Sequence, residues 1–228
     1  MQLTEKIYCY PWRGRGNNCN TYVYAGEKVV LIDPGHIQNE FRENCLENLL
    51  TALQQDGFNI DMFDLILCTH GHGDHCEAAT AIKKKKQINV AMHKDEEKHM
   101  VQLARLFDRL TGQNTALPEI DIFLQEGELE LGPEAKEIIQ VIHTPGHSPG
   151  SLSFYFPGEK ALITGDAVFS GSIGRTDFPD GSMEALGNSI RKLSSIEDVE
   201  WLLPGHMQII KGRAAIDNNY KMITRMFF

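Results

Sequence analysis

The chain has 228 residues, 42% of them hydrophobic, and its 22 basic against 31 acidic side chains give a formal net charge of −9. This is the composition of an ordinary globular protein long enough for a substantial core. The acidic balance argues against a nucleic-acid binder, whose affinity comes from clustered Lys and Arg. No apolar run approaches the roughly 20 residues that cross a bilayer. The start Met1-Gln2-Leu3-Thr4-Glu5-Lys6 lacks the charged and apolar regions of a signal peptide. Five cysteines with no C-x-x-C pair suit free thiols in a reducing compartment. A cytoplasmic protein with no membrane or nucleic-acid partner is expected.

In chain order, Thr21–Ala25 and residues 28–33 are apolar runs separated by Gly26-Glu27, a tight hairpin. The four-residue spacing of Phe41, Cys45, Leu49 and Leu53 predicts an amphipathic helix closed by Gly57. Residues 65–69 form a short apolar strand running straight into His70, residues 77–86 read as a helix, and residues 88–92 as a strand. Residues 95–111 predict a helix with Met100, Ala104, Phe107 and Leu110 on one face, followed by a loop holding Pro118. Further strands are expected at Ile138–His143, 151–156, 160–164 and 200–203. Helices are expected at 182–195 (Met183, Leu186, Ile190, Leu193) and 213–227 (Ile216, Tyr220, Ile223, Phe227). Hairpins mixed with helices in both halves, with no linker between them, predict one α/β domain of sheets covered by helices.

Several polar features have structural readings. The lysine run 83–86 suits a solvated helix C-terminus, where cations meet the negative end of the dipole. His99, on a charged helix, reads as a surface residue, and His36 and His93 as loop residues that cap or hydrogen-bond. Met222 and Met226 read as packing residues.

The chemistry is concentrated in Thr69-His70-Gly71-His72-Gly73-Asp74-His75. Three imidazoles and a carboxylate within six residues, directly after a strand, are the donors that suit Zn, Fe or Mn. Gly71 and Gly73 let the chain curl and aim alternate side chains at one point. Three more candidates occupy glycine turns after apolar runs: His147 in Thr144-Pro145-Gly146-His147, Asp166 after Thr164-Gly165, and His206 after Pro204-Gly205. Loops at strand ends are where α/β scaffolds carry chemistry.

The order H-x-H-x-D-H, P-G-H, G-D, P-G-H, preceded by the hairpin ending Leu31-Ile32-Asp33-Pro34-Gly35, resembles the metallo-β-lactamase fold superfamily over nearly the whole chain. Gly174-Arg175-Thr176-Asp177-Phe178 is similar to its glyoxalase II-like and persulfide-dioxygenase-like branch. The resemblance implies a single metallo-β-lactamase-like domain over 1–228: an αββα sandwich of two mixed β-sheets flanked by helices, with the site at one edge. It implies one metal on His70, His72 and His147, a second on Asp74, His75 and His206, and Asp166 bridging the two. The cofactors are then two divalent ions, zinc first, with iron or manganese also accepted by such donors. Three neutral imidazoles leave a cation open positions for water, and a carboxylate can bridge two cations that also share a hydroxide.

The implied activity is that of a metal-dependent hydrolase, a glyoxalase II-like thioesterase in which a metal-bridging hydroxide cleaves a small anionic acyl thioester such as a hydroxyacylglutathione. Asp74 would orient the hydroxide while serving as a ligand. Asp33 is a candidate to hydrogen-bond a ligand histidine, or a plain turn residue before Pro34. Arg175 is a candidate substrate-binding residue, or one half of an ion pair with Asp177. Cys76 and Cys68 read as buried, and His143 as a strand-end residue behind the site.

Two departures keep other readings open. Glyoxalase II enzymes of the familiar type carry a helical C-terminal domain, whereas only residues 207–228 follow His206 here. Arg175 and the insert 94–131 could replace its glutathione contacts. Persulfide dioxygenases hold a single iron on the equivalents of His70, His147 and Asp166, but read P-A-H-D-Y where this chain has Pro204-Gly205-His206-Met207. The alternatives are therefore a mononuclear iron persulfide dioxygenase, or a metallohydrolase of another ester, lactone or phosphodiester. The apolar end Met226-Phe227-Phe228 needs burial in the core or against a partner subunit, which is compatible with a homo-oligomer.

Overall fold

The structure, a computed structural model, describes residues 1–111, 115–132 and 137–228, and of residues 110 and 111 the backbone alone. They fall into two compact units, Met1–Leu124 and Gln125–Phe228.

The first unit is built on a six-stranded mixed sheet in the order β1 (Ile7–Tyr10), β2 (Thr21–Ala25), β3 (Val29–Ile32), β4 (Leu65–Leu67), β5 (Asn89–His93), β6 (Ile122–Leu124). The first three strands are antiparallel and β3 to β6 are parallel. The hairpin predicted at Gly26-Glu27 pairs Tyr22 with Ile32 and Ala25 with Val29. Parallel neighbours need helical crossovers, and α1 (Cys45–Gln55), α2 (Gly73–Lys85) and α3 (Asp95–Thr111) lie in those connections. Leu31, Leu53, Phe63, Ile66, Ile82, Val90 and Met92 make up the centre of one core. Burial of each is worth roughly 1.5–3 kcal/mol over exposure.

The second unit has the sheet order β12-β11-β10-β9-β8-β7, with β7 (Gly127–Glu130), β8 (Ile138–His143), β9 (Leu152–Phe156), β10 (Ala161–Gly165), β11 (Trp201–Pro204) and β12 (Ile210–Lys211). Only β10 and β11 run parallel, and α4 (Met183–Ser194) fills the connection between them. Ser182 caps α4 by accepting the Ala185 N–H at 3.2 Å. Leu186, Ile190 and Leu193 of α4 share a core with Ile216, Tyr220 and Ile223 of α5 (Arg213–Phe227).

Some sequence expectations are corrected. Phe41 is 55% exposed and precedes its predicted helix, because Arg42 at φ +59 interrupts helical geometry. The buried stripe of α3 is Met100, Leu103 and Ala104, while Phe107 is substantially exposed; the expected place of Leu110 on that face lies outside the described residues, as do 112–114 of the insert 94–131. Met183 and Phe227, at the ends of their helices, are also exposed. Helix α2 starts four residues earlier than predicted, inside the histidine motif. The lysine run does lie at the C-terminus of α2, with Lys84 and Lys85 exposed, but Lys83 pairs with Asp121 and Glu119, and Lys86 donates to the carbonyls of Asp61 and Phe63, so these two are held by neighbouring segments. Among the described residues no helix is long and apolar enough to cross a membrane.

Candidate metal centre

In the first unit the motif lies where β4 meets α2. His72 is the extended N-cap residue of α2 (φ −72, ψ 143), and its carbonyl accepts the N–H groups of His75 and Cys76. Ending a strand and starting a helix within six residues brings His70, His72, Asp74 and His75 together, all less than a tenth exposed. Ligand atoms of His70 lie within 4.8 Å of those of His72 and His75, and so do those of Asp74 and His75. Neither Gly71 nor Gly73 has a positive φ, so the expected reason for these glycines is corrected. Gly71 is required for room: a Cβ there would come within 2.1 Å of Met100 Cγ.

The histidines are held from behind. The Asp33 carboxylate is fully buried and accepts three hydrogen bonds: Thr69 N–H to Oδ1 at 2.7 Å, Thr69 hydroxyl to Oδ2 at 2.7 Å, and His75 Nδ1 to Oδ2 at 2.9 Å. Asp33 thus touches a motif histidine, and its φ of +51 is one that Asp tolerates better than most residues. With its Nδ1 proton given to Asp33, His75 turns Nε2 outward, 3.9 Å from Asp74 Oδ2. His70 Nδ1 is 3.0 Å from the Thr69 hydroxyl, and Asn17 donates to Asp74 Oδ2 at 2.7 Å.

In the second unit His147, Asp166 and His206 follow β8, β10 and β11. Asp166 Oδ2 lies 3.5 Å from Nε2 of His147 and 3.5 Å from Nε2 of His206. Two donors sharing a cation at bond lengths of 2.0–2.1 Å in a tetrahedron are about 3.4 Å apart, so this spacing fits donors around a metal. His147 Nδ1 meets the carbonyl of Arg175 at 2.7 Å, which leaves Nε2 to face Asp166. That contact needs Gly174, where a Cβ would come within 1.9 Å of the Asp166 carbonyl.

The remaining candidates separate cleanly. Arg175 is 63% exposed and its guanidinium forms a two-pronged pair with Asp177 at 2.8 and 2.7 Å, stacked 4.3 Å over Phe178. That guanidinium holds the Asp177 carboxyl down to about 2. Cys68 and Cys76 are buried, and burial pushes both thiols well up. His143 reaches the Pro149 carbonyl at 3.0 Å, His36 meets Glu77 at 2.7 Å, and His93 accepts the Asp95 N–H at 3.2 Å. His99 overturns its surface reading: it is 1% exposed, with Nε2 3.4 Å from Nε2 of His72. Sequence reasoning also missed Asn17 and Glu96, whose buried carboxylate accepts the Gly71 N–H at 2.7 Å.

Comparison with known proteins places the chain in a family. The profile of the metallo-beta-lactamase superfamily matches residues 14–206. Hydroxyacylglutathione hydrolase GloC of Haemophilus influenzae is 35% identical over 199 residues, 83% of this chain and 84% of that one. Among solved structures, BLEG-1 B3 metallo-beta-lactamase superposes with a TM-score of 0.74 at 30% identity, covering 95% of this chain and 99% of that one. TTHA1623 in a di-iron-bound form superposes with a TM-score of 0.70 at 31% identity, covering 89% and 94%. The solved structures share the chain's two mixed sheets flanked by helices, and the chain itself carries a His/Asp donor set suited to a divalent metal. The chain belongs to the metallo-β-lactamase superfamily and has the fold of its metal-dependent hydrolases.

Proposed function

We propose that the donors of the two units act as one binuclear centre that hydrolyses a small anionic acyl thioester of the hydroxyacylglutathione kind. His70, His72 and His147 would hold one ion, Asp74, His75 and His206 the other, and Asp166 would bridge them within a single domain over 1–228. The observation that carries the thioester reading is the near-full-length match to GloC.

When bound, two divalent ions supply Lewis acidity, lowering the pKa of water and polarising the scissile carbonyl. The chain's own residues supply orientation. Asp33 keeps the proton of His75 on Nδ1, and the Arg175 carbonyl does the same for His147, which fixes both rings with Nε2 as donor atom. Asn17 holds one oxygen of Asp74, and Asp74 would orient the attacking water while serving as a ligand. Arg175 would reach a substrate carboxylate on leaving Asp177. Zinc is the proposed ion, with iron as the competitor that the di-iron structure of TTHA1623 keeps in view.

The test is metal analysis of purified protein alongside thiol release from a 2-hydroxyacyl glutathione thioester. About two ions per chain with rapid thiol release supports the proposal, and His72→Ala should abolish release with the fold retained. One iron per chain with oxygen uptake on glutathione persulfide would replace it with the dioxygenase reading. Turnover of a β-lactam in place of the thioester would move the substrate class toward that of the B3 enzyme.

A further inference from the structure

The histidines of the motif are held by a consistent device, and one of them is held differently. His75 and His147 each engage a protein oxygen through Nδ1, and His70 Nδ1 faces the Thr69 hydroxyl. His72 instead meets its neighbour through Nε2, and that neighbour is another imidazole, His99 Nε2 at 3.4 Å. The rings are tilted by 33° with centroids 5.5 Å apart, so the two nitrogens point toward each other. Both rings are shielded from solvent.

The neighbour is itself rigidly placed. His99 lies on α3 one turn after Glu96, and the two side chains share a helix face. Glu96 accepts the Gly71 N–H at 2.7 Å, Met100 fills the space a Gly71 side chain would take, and Met100 Sδ lies 3.9 Å from Cys76 Sγ. Three consecutive contacts from one turn of α3 therefore grip the segment from Gly71 to Cys76.

We infer that His99 is a positioning residue for the metal centre: it accepts the Nε2–H of His72, so that His72 presents Nδ1 to the cation. A neutral imidazole has one N–H and one lone pair, and the atom that donates to the protein decides which atom remains for a metal. The 3.4 Å separation is long for such a bond. The inference rests on the reading of His72 as a ligand and adds a residue that the H-x-H-x-D-H motif does not contain.

The test uses binding of the metal rather than turnover. Chelated protein is titrated with Co²⁺ against a competing chelator, and the visible spectrum of the loaded protein is recorded for wild type, His99→Ala and His99→Gln. Loss of such a partner lowers metal affinity by about 10- to 100-fold, so His99→Ala should bind that much more weakly with altered ligand-field bands. His99→Gln, whose amide oxygen can accept the same proton, should recover most of the affinity. Affinity within twofold and an unchanged spectrum in His99→Ala would overturn the inference. If His99→Ala does not fold, ¹⁵N spectra of the histidine rings in zinc-loaded wild type decide: His72 protonated on Nε2 supports it, and His72 ligated through Nε2 refutes it. Wild type that binds no metal would instead remove the metal-centre reading itself.

Discussion

Replacing Asp33 probes the scaffold of the centre without replacing a proposed ligand. In metal-free protein, Asp33→Ala removes the acceptor of three hydrogen bonds and leaves the Thr69 N–H, the Thr69 hydroxyl and the His75 ring buried without it. Hydrogen bonds to a charged group are worth about 1.5–3 kcal/mol each and are not additive within one network. Alanine also suits the left-handed backbone at φ +51 poorly, by roughly 1–2 kcal/mol. The expected loss is therefore on the order of 5 kcal/mol, a large part of the roughly 5–15 kcal/mol that stabilises a typical domain. Asp33→Asn tolerates the backbone geometry and keeps an acceptor for the Thr69 N–H. It turns a donor toward His75, however, so it should lose about half as much. Urea unfolding of the chelated proteins reads both through the midpoint at constant slope. If Asp33→Ala and Asp33→Asn both stayed within about 1 kcal/mol of wild type, the account of Asp33 as the keystone beneath His75 would be wrong.

Other outcomes can be checked in parallel. Gly174→Ala drives a Cβ into the Asp166 carbonyl, so it should destabilise by about 1–3 kcal/mol and lower metal content; an unchanged melting temperature and metal content would contradict the close approach. Leu53→Ala should cost about 2–5 kcal/mol by leaving a core cavity, while exposed Phe41→Ala should stay near 0.5 kcal/mol or less, both read by denaturant unfolding. Asp177 should titrate near 2 by NMR and return to the ordinary carboxylate range in Arg175→Ala. Because its folded pKa is depressed, the pair's small contribution is present above about pH 4 and disappears as pH falls toward 2. Arg175→Ala should also raise KM for an anionic thioester, and an unchanged kcat/KM would leave the guanidinium as a surface ion pair only.

Much of the candidate site was legible in the sequence because its proposed donors cluster locally. His70, His72, Asp74 and His75 announce themselves within one turn of chain, and the glycine turns before His147, Asp166 and His206 follow apolar strands that are seen easily. Their partners were hidden by distance: His99 lies 27 residues from His72, in a helix whose charged neighbours suggest solvent. Asn17 lies 57 residues from Asp74. Alternation and spacing report which face of an element is apolar, and say nothing of which polar side chain a folded neighbour will bury. Four strands were missed: β6, β7 and β12 are short, partly exposed and carried by pairing with their neighbours, and β1, though mostly buried, has only four residues and no apolar alternation to mark it. Phe41 misled in the opposite direction, since it continues a helical spacing across left-handed Arg42, which keeps the helix from extending back to it.

All five cysteines are free and buried. Burial lifts Cys9 to about 12 and Cys45 to about 11, and pushes Cys68 and Cys76 well up. At pH 7 the reactive anion of Cys9 is then about one part in 10⁵, and disulfide exchange proceeds only through that anion. Under the proposed thioester hydrolysis a thiol is released with every turnover, and once that thiol is oxidised to its disulfide it can exchange with an ionised cysteine of the protein. Here no cysteine is both accessible and ionised enough to be captured. Native protein should therefore react slowly with a disulfide reagent until it is unfolded. Thiol release could then be followed colorimetrically with little background, and the catalyst would be insulated from its own product.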